Sequence, residues 1–193
     1  TLLPGRRASE ITYHVELMIN TAILINKELT WRKLRRAEFL IPINSKDNYI
    51  KMANMLDSYS NKIKDIKIII GHSHDAICSA NMVISASGTA TLEAALFKKP
   101  MIIIYKTSFL SYHLLKKMLL IPYIGLPNIL LNKLIVPEFI QVNATPENIS
   151  LKAVEVISDK KLQDHLKRKF KELHINLKRD GSELIYKKII NHL

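Results

Sequence analysis

Two hydrophobic periods alternate along this chain. In EITYHVELMINTAILINKEL, residues 10–29, Ile11, Val15, Met18, Ile19, Ala22, Ile23 and Ile25 recur at spacings of three and four. That spacing predicts a helix, with Ser9 placed to cap it. AEFLIPIN, residues 37–44, then predicts a short buried strand, and Ser45 a cap for a helix running to about Leu56, with Ile50, Ala53 and Met55 among its apolar positions. IKIIIG, ending at Gly71, is a compact run dominated by β-branched apolar residues, so it predicts a strand buried as in a parallel sheet. HDAICSA predicts a short helix, MVISA a strand, Thr89 to Phe97 a helix, and MIIIY, residues 101–105, another strand.

Strands of about five residues that are apolar on both faces, alternating with helices, predict an α/β fold. The expected form is a Rossmann-like, doubly wound parallel sheet over residues 1–145. From Thr145 the pattern becomes helical. TPENISLKAVEVI, KKLQDHLKRKFKELHINLKR and GSELIYKKIINHL predict three helices separated by Ser-Asp and Asp-Gly, a tail over 146–193 with Pro146 at a first helical position. The opening TLLPG reads as the end of a strand entering a turn, so further sequence is expected upstream of Thr1.

Composition adds a core and a charge. The chain has 193 residues, 48% hydrophobic and 24% charged, which suits one globular domain. Twenty-nine basic against 17 acidic residues, a net +12, point to an anionic partner: nucleic acid, an acidic membrane or a phosphorylated ligand. A nucleic-acid module would need aromatic residues interleaved with the basic ones or a recognised motif, and neither is visible, so no nucleic-acid partner is expected. The lone cysteine, Cys78, has no partner for an internal disulfide, which suits a reducing, cytoplasmic setting. In its apolar surroundings it reads as a small core residue.

The candidate chemistry lies in SASGTATLEAALFKKPMIIIY, residues 85–105. Ligands of open parallel sheets bind at the carboxyl ends of the strands. There, Ser87, Gly88 and Thr89 precede a helix whose first N–H groups lack partners and whose dipole is positive. Either Ser87 or Thr89 caps that helix, or the three residues hold a phosphate, with Gly88 allowing close approach. Glu93 shares a helix face with Thr89. A carboxylate repels phosphate but accepts well from a ribose hydroxyl pair, so the set suggests a nucleoside diphosphate; the alternative is a solvated acid. PGRRASEI offers a second strand-turn-helix junction, where Arg6 and Arg7 either grip phosphate or are solvated. Asn128 and Gln141 are amides embedded in apolar sequence, and either the loop or a sugar supplies their partners. His72, His74 and Asp75 have no further ligand spaced nearby to complete a metal site, and read as loop and capping residues lining the nucleoside pocket. No metal and no cofactor are expected.

Three stretches in order, LLPGRRASEI, ASGTATLEAALFKKPMIIIYK and LPNILLNKLIVPEFIQ, resemble the carboxyl-terminal half of the lipid-A-disaccharide synthase family. The resemblance implies one half of an inverting glycosyltransferase with two Rossmann-like domains (the GT-B type). Such a hexosyltransferase moves 2,3-diacylglucosamine from its UDP donor to 2,3-diacylglucosamine 1-phosphate. It implies that Ser87, Gly88 and Thr89 form the phosphate-binding turn and that Glu93 is the ribose acid. It matches Arg7 to the arginine of the family's PGSR turn, and Asn128 and Gln141 to its PN and PE..Q positions. At Arg6 this chain departs from the family's usual serine, which would add charge at the phosphate or crowd the turn. The catalytic base and most of the acceptor site are expected in the amino-terminal half, so no catalytic residue is assigned here and the fragment is expected to be inactive alone.

Acylated substrates imply a peripheral enzyme on the cytoplasmic face of the bacterial inner membrane. FLSYHLLKKMLLIPYIGL, residues 109–126, is either an amphipathic segment for that anionic surface or a core helix with a solvated lysine pair. The lysine-rich tail would add attraction. Two other readings remain open: a different UDP-sugar enzyme of this fold, such as an epimerase or a peptidoglycan-type transferase, and a binding remnant without catalysis.

Overall fold

Leu2 and Leu3 form β1, and the chain then alternates α1 (Ala8–Trp31), β2 (Phe39–Ile43), α2 (Lys46–Asp57), β3 (Ile66–Ile70), α3 (Ser73–Ser79), β4 (Val83–Ala86), α4 (Thr89–Leu96) and β5 (Met101–Tyr105). After α5 (Leu126–Leu130), β6 (Glu138–Ile140) and a 3-10 turn at Gln141–Asn143 come α6 (Pro146–Ser158) and α7 (Lys160–Ile190). This is a computed structural model; it describes residues 1–59, 61–62, 64–108 and 122–190, with backbone alone for 8–9 and 179–190.

All strand pairs are parallel. β1, β4, β5 and β6 make one ladder, with Leu2 opposite Ile84 and Ile84 opposite Ile102. β2 and β3 make a second, with Ile41 opposite Ile68. β2 lies beside β1, so the strands read across in the order 3-2-1-4-5-6 of a doubly wound fold. The reversal falls between β1 and β4. α1 packs against α2 and α6, whereas α4 packs against α5 and α7, as right-handed crossovers require when strand order reverses.

Burial explains the apolar runs. Met101, Ile102, Ile103 and Ile104 of β5 are each 0% exposed, at the centre of the sheet. α1 turns Ile11, Val15, Met18, Ile19, Ala22 and Ile25 inward, the stripe that the spacing predicts. Ser45 caps α2 and Thr145 caps α6, each accepting the N–H three residues on, from Asn48 and Asn148.

Four expectations are corrected. α1 starts at Ala8 with Arg7 in the cap position rather than Ser9, because the Glu10 carboxylate accepts the amides of Arg6 and Arg7 and does the work of a cap. β3 is not buried on both faces: it is an edge strand, with Lys67 and Ile70 exposed. Cys78 is exposed, since the short α3 turns Ala76 and Ile77 inward and the next residue outward. The tail is two helices, not three. Asp159 breaks it, but α7 runs through Asp180 and Gly181. One glycine inside a helix costs only about 1 kcal/mol, and no proline follows to enforce a stop. The amphipathic reading of residues 109–126 falls mostly outside the described residues. Among the described residues no helix is long and apolar enough to cross a membrane.

Candidate functional site

At the carboxyl end of the sheet, where strand order reverses, the turn after β1 faces the turn after β4 across a cleft of about 340 Å³. That volume lies within the range of small-ligand pockets. Arg7, Ser87, Gly88, Thr89 and Glu93 all line it, with Arg6 and Glu10 beside them. Asn128 and Gln141 do not.

Two helix starts point into this cleft, and they differ. At α1, Gly5 has φ +107, and a Cβ there would lie 2.7 Å from the Cβ of Glu10. This glycine lets Glu10 fold back, so that Oε2 accepts the Arg6 amide at 2.9 Å and the Arg7 amide at 3.2 Å. The α1 start therefore carries its own anion. At α4 no side chain caps the helix and no acid lies in the first turn. Gly88 takes the cap position with φ +149, a conformation L side chains rarely adopt, and the space beside it is open. The cap alternative for Ser87 and Thr89 is thereby removed. Ser87 instead donates its hydroxyl to the Ile124 carbonyl at 2.7 Å. Thr89 is exposed at the cleft. The positive end of α4 is thus open to an anion.

Glu93, one turn along α4, is held from two sides. Its Oε1 lies 3.5 Å from Arg6 Nη2 and its Oε2 3.3 Å from His74 Nε2. Arg7 has 84% of its side chain exposed and reaches Glu10 Oε1 at 3.7 Å, so its guanidinium stays largely available. Ser73 lines the cleft, while His74 reaches it through Glu93. His72 takes the left-handed cap position of α3, with Nδ1 2.9 Å from Asp75 Oδ2. Among the described residues no group of three His, Cys, Asp or Glu side chains could hold a metal ion.

The two amides find their partners in the protein. Asn128 is 0% exposed. Its Nδ2 donates to the Val136 carbonyl and to Glu138 Oε1, and its Oδ1 accepts the amides of Ile135 and Val136. Gln141 exchanges two bonds with the backbone of Thr107, just past β5. Both brace the loops beside the cleft.

Three bracing residues escape sequence reading. Glu10 is one. Glu138 accepts the amides of Ile124 and Gly125 and holds Asn128; its only signal was an acid isolated in an apolar stretch. His14, 1% exposed, has no signal beyond being polar on an apolar face. Its Nδ1 lies 2.9 Å from the Pro4 carbonyl, which can only accept, and its Nε2 takes the Lys106 amide at 3.0 Å. Those partners require the neutral imidazole with its proton on Nδ1. The ring ties the end of β1 to the end of β5. Burial pushes its pKa below the ordinary 6.5, against a smaller opposing pull from the Pro4 carbonyl. A depressed histidine stabilises the fold above its unfolded pKa and loses that contribution as pH falls through the folded one. The gap in unfolding free energy between the chain and His14→Leu is therefore expected to be constant above about pH 7 and to narrow as pH falls below the unfolded value. Denaturant titrations across that range measure it.

Sequence comparison places the same residues in a known group. The family model described as lipid-A-disaccharide synthetase matches residues 1–189. A lipid-A-disaccharide synthase of Dechloromonas aromatica is 36% identical over 194 aligned positions, covering 100% of this chain and 49% of that relative. One from Methylobacillus flagellatus is 38% identical, covering 100% of the chain and 50% of the relative. One from Chromobacterium violaceum is 37% identical over 93% of the chain and 45% of the relative. The chain thus spans about half the length of these relatives. With the matched region running through both cleft turns and on into the helical tail, this chain belongs to the lipid-A-disaccharide synthase family.

Proposed function

We propose that this chain is the UDP-sugar-binding half of a lipid-A-disaccharide synthase. In that reaction 2,3-diacylglucosamine passes, with inversion, from its UDP donor to the hydroxyl of 2,3-diacylglucosamine 1-phosphate. The supporting observation is the uncapped start of α4 at the strand-order reversal, with Gly88 at φ +149 and Glu93 one turn on. The leaving diphosphate accepts the first amides of α4 and draws on the helix dipole and the exposed Arg7; a ribose hydroxyl donates to Glu93. Ser87 and Asn128 act by holding the turn and the neighbouring loop in place, and Gln141 by pinning the end of β5.

Stabilising the leaving group is half of the chemistry. An inverting transfer also needs a base to take the acceptor's proton. That base, and most of the acceptor site, belong in our reading to the portion of the relatives that this chain does not span. The net +12 suits attachment to an anionic membrane carrying the acylated substrates, at the cytoplasmic face of the inner membrane.

Calorimetric titration with UDP tests the site. Saturable binding below millimolar ligand is expected, and its absence would sink the proposal. Glu93→Ala is expected to weaken UDP about tenfold, the cost of one charged hydrogen-bond acceptor. Unchanged affinity would remove Glu93 from the ribose.

A further inference from the structure

Arg6 lines the same cleft as the open start of α4. Its contact with Glu93 is a poor one. A single nitrogen approaches a single oxygen at 3.5 Å, whereas charge-assisted bonds settle at about 2.7–2.9 Å. The Arg6 side chain is 64% exposed, so most of its donors face solvent. Meanwhile Glu93 has its other oxygen at His74, which leaves Oε1, the oxygen under Arg6, as the one a ribose would need. The free chain therefore holds together, weakly, two groups that a nucleoside diphosphate would engage separately.

We propose that Arg6 is a partner-exchanging residue for this ligand class. In the free chain it neutralises Glu93. When a nucleoside diphosphate enters, the guanidinium turns to the phosphate charge at the α4 start, where it can make paired donor contacts. Glu93 Oε1 is then released to accept a ribose hydroxyl. The phosphate half of the ligand thereby opens the site for the sugar half. A nucleoside without phosphate cannot draw Arg6 away and must compete with it for Glu93. The device deepens the nucleotide reading above and rests on it: it adds a preference for diphosphate over nucleoside, built on the long contact between Arg6 and Glu93.

Calorimetry with UDP and with uridine, on the full chain and on Arg6→Ser, tests the exchange. Arg6→Ser is expected to weaken UDP about tenfold, the loss of a charged hydrogen bond. It is expected to tighten uridine about two- to threefold, because removal of an exposed ion pair of small energy frees Glu93. The opposite movement of the two ligands is the diagnostic result. A merely structural role for Arg6 would weaken both. A diffuse charge effect would weaken UDP and leave neutral uridine unchanged. Either of those overturns the exchange, as does UDP binding indifferent to the substitution. Failure of the unsubstituted chain to bind UDP overturns the nucleotide reading itself, and the exchange with it. In Arg6→Ser/Glu93→Gln the gain for uridine is expected to vanish, and its persistence would count against the exchange. Circular dichroism establishes that the variants are folded, as expected for changes at an exposed arginine and a cleft-facing acid.

Discussion

Gly88→Asp is expected to weaken UDP binding by at least about 100-fold, because it damages the site twice. It brings a carboxylate to the α4 start, where the diphosphate would sit, and an anion there satisfies the amides that the ligand would use. It also forces a side chain onto a backbone with φ +149. That strain costs about 1–3 kcal/mol. Aspartate is a favoured helix cap, which offsets about 1 kcal/mol of the strain. The unfolding temperature is thus expected to fall by at most about 8 °C for a chain of this size. Strong loss of binding with little loss of stability separates an anion site from a structural turn. Gly88→Ala serves as the control. Its Cβ meets open space, so it carries the backbone strain without the charge. UDP binding in Gly88→Asp comparable to that in Gly88→Ala would show that the α4 start is not where the phosphates lie.

Asn128→Ala is expected to behave in the opposite way, with a large loss of stability. The amide is fully buried, and its four hydrogen bonds close the loop from Ile124 to Glu138 on itself. Truncation leaves two backbone amides, a carbonyl and the Glu138 carboxylate short of partners. Each buried orphan costs about 1–3 kcal/mol, part of it recovered if water enters, so a net loss of about 4 kcal/mol is expected. For a chain of this length that lowers the unfolding temperature by about 8–16 °C. Because Glu138 also holds the Ile124 and Gly125 amides, and Ser87 reaches the Ile124 carbonyl, the damage would travel to the phosphate turn. UDP affinity is expected to fall only with the loosening of that turn. A variant of full stability with abolished binding would instead make Asn128 a direct ligand contact.

These two residues show how unevenly the site could be read from sequence. The placement of Gly88 and Glu93 was legible because a strand end, a glycine and a helix face are local facts, set by residues within one turn of each other. Asn128 was legible as a polar residue among apolar ones, but not as to its partners. The same holds for α1. Its inward stripe follows from spacing alone, yet its cap moved from Ser9 to Glu10 because Gly5 lets the acid fold back onto the turn. β3 was read as buried from its isoleucines, and the sheet placed it at an edge. Composition along a strand says how apolar it is, not how many neighbours it receives.

By itself, the sequence determined the alternation of strands and helices, the parallel α/β class, the glycine turn that precedes α4 and the acid one helical turn beyond it. Period and local sterics govern those features, and both are written along a short stretch of chain. Only the tertiary structure decided that Arg6 meets Glu93 across 87 residues and that His14 receives the Lys106 amide across 92. It also decided that Glu10 already fills one of the two helix starts while the other stands open. Each of these depends on which strand ends the sheet brings together at its reversal. Such pairings are set by the packing of the whole core, and no stretch of the chain carries them alone.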